Sequence, residues 1–413
     1  MKKILLLITI ISLISTIYAE EWTTWRGPNR DGSVTVEDWN PEALLNDPEV
    51  VWEVTVGKGH SQVAIKGDFL YTSGTEVTIA GTDTLAEDKI FCLDLESGDE
   101  IWSFSYPSED IGYPGIRTSP ILDEDKLYTL SSKGDLYCFE SESGNVIWKK
   151  NMTADYGVLR PSWGHSGSPV IYNEMVLLTG GENGIAVNKK NGKLIWASNL
   201  EIIGALSSPH LLNYGGKTYA TIADEHNIHC VDVENGEKKW SYKYSSENDP
   251  IFMDGKLFLC GDYRAGVVML ELTDGEPKEI WKEKSMRGGF QNKVIVGDYA
   301  YGFASARNRD ELHCVNLKDG KLMWHKDLDA QFGALMAVNE KLVIVNGQGK
   351  VIIADADETG LKEISYADVI PMSENTGLEM NRQSHCWIDP VVLDGKIYVK
   401  NNYGQLVCVD VSI

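Results

Sequence analysis

The residues of this chain best equipped for chemistry fall in short segments that precede apolar, strand-like runs. His60 comes just before the strand start at Gln62, and Arg117 just before Ser119-Pro120-Ile121. Trp163 and His165 lead into Ser168-Pro169-Val170, and Arg287 leads into a strand start placed at Gln291. Arg382, His385 and Trp387 lead into Asp389-Pro390. Brought to a common rim, these cationic and aromatic side chains would suit an anionic or peptide-like ligand. Capping strand ends and satisfying backbone groups is the plainer use for each of them. The common catalytic signatures are missing. The chain has no Gly-x-Ser-x-Gly elbow, no His-Glu-x-x-His, no Cys-x-x-Cys and no phosphate-cradling glycine loop. Asp355-Ala-Asp357-Glu-Thr-Gly360 begins like a calcium loop but lacks the remaining ligand positions, so it reads as a turn and no metal site is predicted.

What positions these segments is a repeat. A short apolar strand ends in an acidic or amide residue, a Gly follows four later, and a Trp four after that. The pattern runs Cys92-Leu-Asp94…Gly98…Trp102, Cys138-Phe-Glu140…Gly144…Trp148 and Ala186-Val-Asn188…Gly192…Trp196. It continues as Cys230-Val-Asp232…Gly236…Trp240 and Cys314-Val-Asn316…Gly320…Trp324. Met269…Gly275…Trp281 carries two extra residues, and Ala354-Asp355…Gly360…Ile364 has lost its Trp. The glycines are spaced by 39 to 48 residues, which suits a four-stranded blade. Each Gly closes a polar turn that requires positive φ. Each Trp, at a fixed offset beyond it, can fill the wedge between neighbouring blades. Alternation such as Leu136-Tyr-Cys138-Phe reads as a strand with one buried face. Pro is confined to strand starts and edges, so Pro120, Pro169, Pro209, Pro250 and Pro390 mark inner strands, with Gln62, Gln291 and Ala334 in the same slot.

The two ends of the chain are complementary. The last repeat stops at Cys408-Val-Asp410-Val-Ser-Ile413, short of its Gly and Trp. The missing strand is supplied by Val50-Val-Trp52-Glu-Val-Thr-Val56. These features predict an all-β, eight-bladed propeller of four-stranded antiparallel blades, closed by an N-terminal strand completing the C-terminal blade. It would span 50–413, with 20–49 as an extension anchored by Trp22, Trp25 and Trp39. Residues 1–19 read as a signal peptide: Lys2 and Lys3, an apolar run from Ile4 to Ile17, and Ala19 at the cleavage point. Export permits disulfides, but five of the seven cysteines (Cys92, Cys138, Cys230, Cys314 and Cys408) share one repeat position. That is how a small buried hydrophobe behaves, so free thiols are predicted.

The unit Leu136-Tyr-Cys-Phe-Glu140…Ser143-Gly-Asn-Val-Ile-Trp148 resembles the pyrroloquinoline-quinone-like (PQQ-like) propeller repeat, over about residues 50–413. The resemblance implies blade-docking roles for Trp52, Trp102, Trp148, Trp196, Trp240, Trp281 and Trp324. The opening Trp22-Thr-Thr-Trp25-Arg-Gly-Pro-Asn-Arg-Asp-Gly32 resembles exported bacterial quinone-binding-like propellers. The repeat is shared by quinoprotein dehydrogenases and by the non-catalytic propeller of the outer-membrane protein assembly machinery, so fold alone does not assign function. A dehydrogenase of this type would need PQQ, Ca²⁺ and a carboxylate base; this chain has no Cys-Cys pair, and its clearest insertion, 73–89, is modest. With 61 acidic against 38 basic residues and a net charge of −23, the chain repels phosphate backbones, and no nucleic-acid partner is expected. The expectation is a periplasmic or secreted, non-catalytic binding or scaffolding propeller for a protein or other envelope ligand. A PQQ- and calcium-dependent dehydrogenase and a carbohydrate-binding module are the alternatives.

Overall fold

A computed structural model describes residues 21–46, 48–80, 83–108, 115–262, 264–306, 309–329, 332–370 and 386–413. The predicted leader, and with it Arg382 and His385 of the candidate site, lie outside the described residues. These residues build eight β-sheets, seven of four antiparallel strands and one of five, in which a short N-terminal strand joins four antiparallel ones in parallel. The chain is an eight-bladed propeller. In the second blade the strands run Ile121–Asp123, Lys126–Leu130, Asp135–Glu140 and Val146–Asn151, paired in sequence order. Leu136, Tyr137, Cys138 and Phe139 are all buried, which corrects the one-face reading of this strand. Neighbouring blades cover both faces of the middle strands, so apolar residues run on without alternation.

The Trp–Gly pattern forms the joint between blades. The indole Nε1 of Trp52 donates to Leu95 O, Trp102 to Ser141 O, and Trp148 to Lys189 O. Trp196, Trp281 and Trp324 likewise donate to Val233, Leu317 and Asp357 carbonyls of the next blade. A Cβ at Gly98, Gly144, Gly192, Gly236 or Gly320 would stand 2.4–2.9 Å from the incoming indole. All five also hold φ between +66° and +76°. Gly275 is the exception: it does not adopt positive φ, and a Cβ there would meet nothing, as at Gly360. The two-residue insertion before Trp281 and the loss of Trp beyond Gly360 mark these departures.

Cys92, Cys138, Cys230, Cys314 and Cys408 sit directly across the strand pair from Trp102, Trp148, Trp240, Trp324 and Trp52. A small residue there leaves room for the ring. All seven thiols are buried and none is in a disulfide, and burial pushes that of Cys92 up to about 12. Closure is as the termini imply. Val50–Thr55 pairs antiparallel with Gln405–Asp410, placing Trp52 opposite Cys408 and making the outer strand of the last blade. The first-blade insertion lengthens a hairpin, Phe69–Ala80 with Asp83–Asp94.

Candidate functional site

The site begins with the residue two places before each inner strand. Backbone N–H of Gln62 donates to Ser119 Oγ (2.9 Å), Ser119 N–H to Ser168 Oγ (2.9 Å), and Ser168 N–H to Ser208 Oγ (3.1 Å). Ser208 N–H then donates to Asp249 Oδ1 (2.7 Å), and Asp249 N–H to Asn292 Oδ1 (3.0 Å). Gln62 Nε2 in turn donates to Asp389 O at 3.0 Å, joining the first blade to the eighth. A girdle of polar side chains thus lines the channel from the eighth blade round to the sixth, each tying one blade to the next. The register corrects two strand-start assignments: Gln62 is equivalent to Ser119 rather than Pro120, and the girdle residue of the sixth blade is Asn292, not Gln291.

In the seventh blade the equivalent position, two places before the inner strand, falls outside the described residues. The inner strand itself, Gly333–Val338, pairs in parallel with Ser33–Val34 of the N-terminal extension. The extension enters the channel. Trp22 is fully buried and bridges Ile65, while Leu122 N–H donates to Thr23 O. Arg26 has no exposed surface; its guanidinium donates to Asp31 O and Lys293 O and lies 3.6 Å from the Asp389 carboxylate. Arg26 and Arg30 hold φ of +65° and +58°, and a Cβ at Gly27 would lie 2.6 Å from the Trp22 ring. Such left-handed residues persist where surrounding contacts fix them. Trp39 is buried farther along, beside the last blade. Trp25, expected as an apolar anchor, has another place: its Nε1 donates to Asp249 Oδ2 at 2.7 Å and its ring lines the cavity beyond.

That cavity, about 320 Å³, is a cup at the channel mouth with Trp25, Asp249 and Asp389 in its lining. Its wall carries Trp163, Phe290, Phe332 and Trp387. Trp387 is the hub, with Phe332 at 4.5 Å, His60 at 4.7 Å and Phe290 at 6.0 Å between ring centroids. Trp387 Nε1 donates to His60 Nδ1, so that nitrogen carries no proton. Burial, with Arg117 and Lys400 nearby, drops His60 to about 3, leaving it neutral. Arg117 donates to Ser132 Oγ at 2.6 Å. Trp163 and Phe290 remain 58% and 43% exposed, an apolar lip open to solvent. Burial raises Asp389 to about 6, against the opposing pull of Arg26.

Of the residues singled out from sequence, His60, Arg117, Trp163 and Trp387 therefore meet in one cup. His165 and Gln291 are buried beside it without lining it; a Cβ at Gly134 would touch the His165 ring. Arg287 is exposed and outside the lining. Sequence reasoning missed Trp25, Phe290, Phe332, Asp249, Asn292 and Asp389. The residue before each strand-start Pro was the available signal for Asp249 and Asp389. The Asp355–Gly360 segment is a turn, with Asp357 Oδ1 accepting from Thr359 N–H and Lys341 paired to Asp355 at 2.7 Å.

The donors of the cup do not suit a quinone with Ca²⁺. Asp249 spends both oxygens on Trp25 and Ser208, Asp389 faces Arg26, and the extension occupies the channel. Among similar proteins, the outer membrane protein assembly factor BamB of Yersinia pestis is 22% identical over 323 residues, covering 73% of this chain and 76% of its own length. That of Escherichia coli K12 is 21% identical over 346 residues, covering 68% and 82%. In fold, the crystal structure of BamB from Moraxella catarrhalis superposes with a TM-score of 0.60 at 13% identity, over 88% of this chain and 97% of that one. The quinohemoprotein alcohol dehydrogenase from Comamonas testosteroni gives 0.64 at 12% identity, over 95% and 80%. At such identities the two structures speak for the propeller and not for either activity. The family described as outer membrane protein assembly factor BamB matches residues 43–283 and 276–412, nearly the whole propeller, and the chain belongs to it.

Proposed function

We propose that this protein is an exported, non-catalytic propeller that takes a segment of an envelope protein into the aromatic cup, in the service of outer membrane protein assembly. The observation that carries the reading is the cup itself: a channel filled by the chain's own extension, with Trp25, Trp163, Phe290, Phe332 and Trp387 around its lining. Aromatic rings supply large contact area at small entropic cost, and the Glu247 carboxylate, also in the lining, supplies an acceptor that helps fix register. A peptide segment satisfies both. The name shared by the relatives supports outer membrane assembly as the process, and the leader read in residues 1–19 supports a periplasmic setting. No helix among the described residues is long and apolar enough to cross a membrane.

A photo-crosslinking amino acid placed at Trp163 or Phe290 in the cell envelope tests this, with Tyr366, exposed on the seventh blade's outer strand, as the control position. Cross-links to an envelope protein from the two cup positions, and not from Tyr366, are expected. Retention of a quinone or an oligosaccharide by the purified protein, with no protein cross-link from the cup, would overturn the reading.

A further inference from the structure

A second group of side chains lies on the outer strands of the sixth blade. Glu311 and His313 are two residues apart on Arg309–Asn316 and so project from one face. His325, on Leu322–Asp327, is the direct cross-strand partner of His313. One donor atom from each of the three lies within 4.8 Å of the others. His325 Nδ1 is 2.8 Å from Glu311 Oε2, and His313 Nε2 is 3.5 Å from the same oxygen. Donors on a tetrahedral zinc ion stand about 3.3 Å apart, given bonds of about 2.0–2.1 Å. The set therefore needs only a small rotation of the half-exposed His325 to close.

The second ring nitrogen of His313 decides how the group should be read. Nδ1 stands 2.9 Å from Ser285 O, an acceptor only, so Nδ1 carries the hydrogen and Nε2 presents its lone pair. That lone pair is buried, with no hydrogen-bond donor on it. A backbone carbonyl holding the far N–H in this way is the usual support for a metal-binding imidazole. The propeller contains its own comparison. His229 in the fourth blade occupies the same repeat position, one before its Cys, opposite Ser241. There both nitrogens are engaged, Nδ1 with Ser241 at 2.8 Å and Nε2 with Asp224 at 3.0 Å. The sixth blade replaces that Ser by His325 and leaves Nε2 facing a carboxylate and a second imidazole.

We propose that Glu311, His313 and His325 form a binding site for a borderline divalent transition metal, Zn²⁺ or a similar ion. Two imidazoles and one carboxylate select such ions over Ca²⁺ and Mg²⁺, which prefer all-oxygen shells. None of the three lines the cup, and the site pins the two outer strands of its blade together. It leaves a coordination position open on the solvent side, because His325 is 55% exposed.

The test uses the untagged full mature protein, stripped with chelator and titrated with Zn²⁺ against a chromophoric indicator, and with Co²⁺ by visible absorption. One equivalent of Zn²⁺ should bind in the presence of millimolar Ca²⁺, and Co²⁺ should give ligand-field bands. His325→Ala and Glu311→Gln should each weaken binding at least tenfold and abolish those bands. His226→Ala, at an exposed histidine of the fourth blade, should change neither. Because His325 is exposed, its loss should not unfold the blade, and an unchanged circular dichroism spectrum checks this. Absence of binding by the folded wild type, or binding that survives His325→Ala, would overturn the proposal.

Discussion

At the scale of single residues, the repeat's glycines do two jobs that sequence shows as one. All but Gly275 hold a positive φ, and five also leave room for the indole of the preceding blade. Gly236 and Gly216 separate these effects, because their φ values are +72° and +76°. A Cβ at Gly236 would lie 2.4 Å from the Trp196 ring, whereas one at Gly216 would meet nothing. Gly216→Ala should therefore cost about 1–2 kcal/mol, the left-handed term alone. Gly236→Ala should cost about 1–3 kcal/mol more, because the ring cannot retreat from a packed joint. Urea denaturation of both variants measures the difference; equal losses would mean that the indole does not bear on the turn.

At the scale of the element, the strand Val50–Thr55 carries the closure. It supplies the last blade's outer edge and, through Trp52, the joint to the first blade. Deleting residues 50–56 should leave Gln405–Asp410 as an open edge, with unpaired N–H and C=O groups ready to pair with another chain. Self-association or loss of folding is expected by light scattering after size exclusion. A monomer with unchanged Tm would contradict the closure described here. A synthetic peptide of residues 50–56 should restore the monomer by strand addition.

At the scale of the whole molecule, the seam between first and last blades is also held from inside. Lys400 Nζ donates to Ser61 O (3.1 Å), Thr72 Oγ1 (3.1 Å) and Ser73 O (2.7 Å) across that seam. Burial lowers its amine from near 10.5 to about 7. Between those values the unfolded chain binds more protons than the native one, so stability rises with pH, by at most about 1.4 kcal/mol per unit. Lys400 should contribute a gain in stability between pH 7 and 8, offset in part as the unfolded chain's thiols, at about 8.5, begin to ionise. Lys400→Met should be less stable overall, since three acceptors lose their donor, but its stability should rise less steeply with pH. Parallel slopes for the two proteins in urea titrations would show that Lys400 is not the titrating group.

Fold and closure were legible in the sequence because they rest on local, repeated requirements. A turn needs its Gly, a joint needs its Trp, and a strand missing at one end must be found at the other. The site was legible only in part. Loop position picked out His60, Arg117, Trp163 and Trp387, but it also picked out Arg287, which faces solvent, and His165, which is packed beneath Gly134. Whether a loop residue points into a cup depends on blade-to-blade geometry that no repeat pattern encodes. Trp25 and Asp249 are 224 residues apart and meet because the extension enters the channel. Glu311, His313 and His325 read as ordinary blade residues until strand register sets them face to face. The sequence by itself determined the architecture, since every blade repeats the same short-range physics. Tertiary structure alone decided which side chains converge, because convergence here is made by contacts between blades and with the extension.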